Sequence, residues 1–351
     1  MMPRGLRALI LFALFVAACG PSASSGQQTA GTANRPTGAP AAPQSGSSDA
    51  SPGPRPAERV VIGVPGVSLS YLPTYLAWKF GYFEEEGLAP EFVQASGNVF
   101  VPALLSGEMD FTTNLSSIGT HAGQGGPTKI VQFQAVRLQH VITVRPEITT
   151  VQQLEGKRVA VQALGTLPAF EVQKLAEHFG LRDVAMVVAG SEMERIAAIE
   201  AGAADAAVSS IPANLVAERR GMPTLLRIGT VLEIPQAGLG TTDAHLRDRV
   251  DLVTRTLRAA ARALPAVHDR RDEVIPIIAQ WIELSPEDAA RAYEQVADTY
   301  SANGLATDAQ LRAYLQLMQE TANVPADATF DRLYDFTIAR RVAQELGLPL
   351  Q

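Results

Sequence analysis

Hydrophobic and polar positions divide this 351-residue chain into four stretches. Ala8 to Val16 is one apolar run preceded by Arg4 and Arg7, and Gly20 to about Glu58 carries almost no large apolar residue. From Arg59 short β-branched runs alternate with helical spacing. Val60–Val64 predicts a buried strand, Pro73–Glu86 a helix stopped by Gly87, Glu91–Ala95 a strand, Val99–Ser106 a helix and Asp110–Thr113 a strand. This βαβαβ order implies a parallel sheet with helices on both faces.

A second unit follows Arg145-Pro146. It contains strand Arg158–Gln162, helix Leu167–Phe179, strand Ala185–Val188, helix Glu192–Ala201 and strand Ala206–Ser209. Ala103 to Asp110 and Ala198 to Asp205 both read Ala, aliphatic, two residues, Gly, two residues, Asp, at matching places in the two units. Beyond them, Asp243–Ala266, Glu273–Glu283, Pro286–Tyr300, Asp308–Thr321 and Asp331–Leu346 show apolar residues at helical spacing and predict buttressing helices, with Trp281 in their core.

Three segments carry a family resemblance. The stretch from Pro73 to Leu88, with Gly81-Tyr82-Phe83 followed by acidic residues and Gly87-Leu88, resembles the first helix of the nitrate-, sulfonate- and thiamine-precursor-binding proteins of ABC importers. Leu105–Phe111 and Leu154–Val161 are similar to further segments of that family. The resemblance implies an α/β, two-lobed type II periplasmic binding protein fold with a hinge and a helical C-terminal region. Lobe one is then 59–141 with 235–351, and lobe two 142–234. Ile142–Arg145 is expected to make the first crossing, and Ile234–Thr242 the return.

The N-terminal pattern adds an address. Arg4 and Arg7, the short apolar run and Ala17-Ala18-Cys19 form a secretory signal over 1–18 that resembles the bacterial lipobox, with lipid expected on Cys19. The run is too short for an ordinary membrane span, which takes about 20 apolar residues. The segment 19–58 cannot bury enough surface to offset its ordering entropy. It reads as a disordered tether with a mean reach on the order of 35 Å. Cys19 is the only cysteine, so no disulfide framework is available. A net charge of −7 argues against nucleic acid as a partner.

In open α/β sheets ligands meet the carboxyl ends of the strands, so post-strand residues are the site candidates. These are Ser68 and Tyr71 after strand one, Asn98 and Phe100 after strand two, and Asn114, Ser116 and Ser117 after strand three. In lobe two they are Gly165, Thr166, Ser209 and Ser210. Capping competes with ligand contact at Asn98, Asn114 and Ser209-Ser210, the last before a helix starting at Pro212, and Phe100 reads equally as wall or core. Arg137, His140 and Arg145 lie near the expected crossing and either offset an anionic ligand or serve the hinge and surface. A set of Ser, Thr, Asn, Tyr and Phe favours a neutral, planar, hydrogen-bonding solute such as a pyrimidine or riboflavin. Sulfonate, taurine or nitrate stays open, because backbone N–H groups alone hold such anions.

No metal spacing, paired carboxylates or Ser-His-Asp order stands out, and no cofactor is implied. The family relatives that synthesise the thiamine pyrimidine carry a cysteine-rich motif with no counterpart here. The expected role is a monomeric, extracytoplasmic, membrane-anchored solute-binding lipoprotein that serves an ABC permease and, through it, an ATPase, with a ligand-sensing lipoprotein as the alternative. Replacing Cys19 by Ala is expected to move the protein from the membrane to the soluble fraction on cell fractionation while ligand binding stays intact.

Overall fold

Val60, Val61 and Ile62 are each at most 3% exposed, a continuous apolar run that only a strand covered on both faces can bury. They form the middle of β1 (Glu58–Val64), the first of ten strands in the computed structural model, which describes residues 57–95 and 98–350. The signal segment, Cys19 and nearly all of the tether lie outside the described residues. The other strands are β2 (Leu88–Gln94), β3 (Phe111–Thr112), β4 (Thr128–Ala135), β5 (His140–Val144), β6 (Arg158–Val161), β7 (Ala185–Val188), β8 (Ala206–Ser210), β9 (Thr224–Arg227) and β10 (Ala237–Thr242).

They build two five-stranded sheets with the orders β2-β1-β3-β10-β4 and β7-β6-β8-β5-β9. The fourth strand of each sheet is antiparallel to its neighbours, and in each case it is the strand that enters from the other lobe. This corrects the expected crossing at Ile142–Arg145. His140-Val141-Ile142-Thr143-Val144 is β-branched and almost wholly buried, so its backbone groups need ladder partners on both sides, which β8 and β9 supply. The chain passes between lobes at 136–139 and returns at 231–236.

The two passages touch. A Cβ on Gly229 would stand 2.2 Å from the Leu138 carbonyl oxygen, so only glycine admits this approach. The Gln139 N–H donates to Gln236 Oε1 at 2.6 Å, and Arg137 pairs with Glu233 at 2.6 Å.

The repeated Asp has the same task in both lobes. Asp110 Oδ2 accepts from the Val61 N–H of β1 at 2.8 Å, and Asp205 Oδ2 accepts from the Arg158 N–H of β6 at 3.0 Å. Each carboxylate ties the third strand of its unit to the first. His245 Nε2 lies 3.1 Å from Asp110, which Arg249 also pairs, and Arg145 and Arg158 pair Asp205. Burial raises the Asp205 carboxyl, but the Arg158 hydrogen bonds and the charges of Arg145 and Arg158 outweigh it and lower it to about 2.

Helices complete the layers. The segment expected as one helix over Pro73–Glu86 splits into Leu72–Lys79 and Tyr82–Glu85, because Gly81 adopts φ +75° and ends the first. Asp243–Ala266 likewise divides into Asp243–Asp248 and Val250–Asp269 around Arg249, which is drawn to Asp110 and Glu58. The C-terminal helices also grip lobe two. Arg219 meets Asp288 at 2.8 Å, Arg291 pairs with Glu218, and Lys174 meets Glu320 at 3.0 Å. Among the described residues no helix is long and apolar enough to cross a membrane.

Asp205→Asn is expected to lower stability by roughly 1–3 kcal/mol at neutral pH, the cost of weakening a largely buried charged network. The depressed carboxyl stabilises the fold above its ordinary value of 3.8, and that contribution disappears as pH falls to about 2. Acid unfolding followed by circular dichroism should therefore lose part of its pH dependence in that window in Asp205→Asn.

Candidate functional site

The carboxyl ends of β1, β2 and β3 converge on one side of lobe one. Here Ser68 Oγ accepts from the Ser70 N–H at 3.2 Å, closing the turn that presents Tyr71. Ser70 Oγ donates to Gln139 Oε1 at 3.0 Å, and Gln139 Nε2 donates to Thr299 Oγ1 at 2.8 Å, so the turn is bonded to the first passage and the C-terminal region. Burial pushes the Tyr71 hydroxyl up to about 12, with a hydrogen bond to Thr113 pulling the other way. It stays neutral at physiological pH and able both to donate and to accept.

Tyr71 and Thr113 line a cavity of about 430 Å³ whose other walls include Gly66, Tyr75, Trp78, Phe92, Gln94 and Trp281. Trp281 was expected in the core. Instead it is half-buried and stacks on Tyr75 with centroids 4.1 Å apart and an interplanar angle of 7°. The Leu72–Lys79 helix supplies Tyr75 and Trp78 at i and i+3, on one face, and Phe92 comes from β2.

A second cavity of about 290 Å³ joins the lobes. Ser116 from the start of the Leu115–Gly123 helix, Gly165 and Thr166 from the turn after β6, and Pro235 and Gln236 from the return passage all line it. Three post-strand candidates thus share one space. Gly165 adopts φ +75°, and Thr166 Oγ1 donates to the Ala163 carbonyl at 2.7 Å, fixing the turn. Asn114 Oδ1 accepts from the Ser117 N–H at 3.2 Å, so Asn114 caps the helix that presents Ser116. A third hollow, around Lys129 and Phe330, opens at the amino end of β4, away from the converging strand ends.

Two candidates are corrected. Phe100 is fully buried, and its ring lies 2.9 Å from where a Gly63 Cβ would stand, so it fills the core beneath β1 rather than walling the cleft. Ser209 is fully buried within β8 and its Oγ accepts from Thr143 Oγ1 at 3.2 Å, because alternate strand residues face opposite sides and only Ser210 is partly exposed. Asn98 is exposed in the turn before a helix that begins at Phe100 with Val99 at its N-cap.

Sequence reasoning named His140 but missed the charged residues Glu171, Glu192 and Arg195 that cluster with it at the strand ends of lobe two. His140 opens β5 opposite Ser210, and its Nδ1 meets Glu171 Oε1 at 2.8 Å, with the Glu171 side chain fully buried. Arg195 meets Glu192 at 2.7 Å and donates to the carbonyls of Val208 and Gly190, while the Ser210 N–H donates to Glu192 at 3.3 Å. Glu171 and Arg195 sit inside ordinary helical spacing, so nothing local distinguished them from surface charges.

These features can be set beside known proteins. The NMT1/THI5-like family model matches residues 69–274. The chain belongs to the NMT1/THI5-like family. Among solved structures, a periplasmic sulfonate-binding protein from Methylobacillus flagellatus matches with a TM-score of 0.69 and 16% identity, covering 83% of this chain and 96% of that one. The periplasmic aliphatic sulphonate-binding protein of Escherichia coli gives 0.65 and 18%, over 80% and 93%. The desulfurization enzyme DSZB gives 0.61 and 16%, over 82% and 99%. These likenesses establish the type II periplasmic binding protein fold, which binding proteins and an enzyme share. A search of curated proteins finds no match.

Burial opposes charge on His140, but the carboxylate of Glu171 outweighs it and, with Glu192 adding to it against Arg195, raises the imidazole above its ordinary 6.5. The sign follows: this pair stabilises the fold fully below pH 6.5 and loses its contribution as pH rises through the folded value. NMR titration should find His140 above 6.5 in the native protein and lower in Glu171→Gln.

Proposed function

We propose that this NMT1/THI5-like protein is the extracytoplasmic solute-binding component of an ABC importer, capturing a small organic nutrient between its lobes and delivering it to a permease. The observation that carries this reading is the cavity shared by Ser116 of lobe one and Gly165-Thr166 of lobe two, floored by the return passage. A solute in contact with both lobes favours the closed arrangement by its differential affinity, and the passages at 136–139 and 231–236 are the places where rotation is absorbed. The expected lipid on Cys19 and the 19–58 tether would hold the lobes near the permease.

The cargo we favour is a vitamin or vitamin precursor such as a pyrimidine or riboflavin. Neither cavity has Arg or Lys among its lining residues, the one carboxylate, Glu91, is paired with Arg59 at 2.6 Å, and the lining hydroxyls and amides suit a neutral hydrogen-bonding solute. Sulfonate is the second reading, supported by the names of the structural relatives and by Ser116 and Ser117 in the first turn of a helix. The chemistry read here is binding, with closure as the only step; the only cysteine of the chain is Cys19, so the lobes carry no thiol nucleophile.

A thermal-shift screen of riboflavin, aminopyrimidines, taurine, alkanesulfonates and nitrate tests this directly. At a hundredfold excess over Kd a true ligand stabilises by about 2.7 kcal/mol, a readable rise in Tm. Tyr71→Ala, Ser116→Ala and Thr166→Ala should each shrink that rise without unfolding the apo protein. Full retention in all three would remove the site from this cleft, and a response to sulfonates alone would replace the vitamin reading.

A further inference from the structure

The aromatic cavity of lobe one goes beyond what a hydroxyl-lined cleft needs. Both tryptophans of the chain, Trp78 and Trp281, line it, together with Tyr71, Tyr75 and Phe92. Trp78 is 38% exposed, an unusual position for the largest apolar side chain on a helix whose other apolar residues are mostly buried. Its ring is nonetheless held in place, 5.5 Å from Tyr75 edge-on and 5.7 Å from Phe92. The Tyr75–Trp281 stack fixes the opposite wall by bonding the Leu72–Lys79 helix to the Arg271–Trp281 helix. At about 430 Å³, and at the strand carboxyl ends, the cavity has the size and place of a small-molecule pocket rather than a packing flaw. Thr113, Gln94 and the Tyr71 hydroxyl give it polar groups among the rings.

We infer that this cavity is a ring subsite, so that the solute carries a planar aromatic or heteroaromatic ring seated among Trp78, Phe92, Tyr71 and Trp281; this rests on the solute-binding reading above. An aliphatic solute of equal polarity leaves these rings without a partner face, whereas a flat ring meets them in the offset or edge-on arrangements that aromatic quadrupoles favour. Charge does not select the ring: Glu91 lines the cavity and is paired with Arg59 at 2.6 Å, while Lys79 Nζ stands 4.7 Å over the Trp78 ring and 5.4 Å over Tyr75 without lining it.

Because both tryptophans lie in the cavity, intrinsic fluorescence of the intact protein reports its occupancy. Three probes are titrated: 4-aminopyrimidine, benzenesulfonate and its aliphatic counterpart ethanesulfonate. Each good ring contact is worth roughly two- to tenfold in affinity, so benzenesulfonate should bind on the order of tenfold or more tighter than ethanesulfonate. It should quench the tryptophans, as should 4-aminopyrimidine. Trp78→Leu, which keeps apolar bulk at a partly exposed position, should abolish the preference for benzenesulfonate while Ser116→Ala weakens both sulfonates alike. Equal affinity for the two sulfonates, unchanged in Trp78→Leu, would overturn the ring subsite and leave the solute-binding reading standing. No binding of any probe here or in the thermal-shift screen would overturn both.

Discussion

Gln139 joins the first passage to three distant parts of the chain. It is 3% exposed, and its backbone N–H, side-chain oxygen and side-chain nitrogen are each hydrogen-bonded. Its N–H holds Gln236 of the return passage, its side-chain oxygen holds Ser70 of the turn that presents Tyr71, and its amide N–H bonds Thr299 of the C-terminal region. A buried amide with its partners costs little, whereas one left unpaired is expensive, so these three contacts hold one another in place. The geometry of the first turn of the site is thereby coupled to the passages between lobes.

Around that junction the two lobes repeat one plan. In each, a carboxylate at the start of the third strand reaches back to the first strand, and in each a strand from the other lobe inserts antiparallel beside the third. Charged partners surround both carboxylates, which keeps them ionised although they are largely buried. The C-terminal helices then bracket lobe two with ion pairs at Asp288 and Glu320. Partly exposed pairs of this kind contribute modestly, about 0–1 kcal/mol each.

Two kinds of surface lie at the strand ends. The smaller cavity combines Ser116, Gly165, Thr166 and Gln236 with Tyr314, Leu317 and Met318 of the C-terminal region. The lobe-one cavity offers rings already fixed by mutual packing. At the strand ends of lobe two each charge has a partner, His140 with Glu171 and Arg195 with Glu192.

Much of the fold was legible along the chain because its rules are local. Helix Leu167–Phe179 and strand Ala185–Val188 begin and end where spacing and Gly180 place them, and the Ala-to-Asp repeat pointed to two equivalent units. That Ser116, Gly165 and Thr166 share one space was also legible, since residues after strands in an α/β sheet lie on one side of it by topology. What the chain by itself could not fix was any property set by partners distant in sequence. That β5 is a strand of lobe two depended on β8 and β9 lying on either side of it. Phe100, which read equally as wall or core, and Trp281, which read as core, were settled for the same reason: only the packing of β1 over one and of Tyr75 against the other decided their places. The sequence determined a two-unit α/β protein with polar strand ends; tertiary structure decided where its rings converge, because burial and stacking belong to pairs of surfaces and not to single positions.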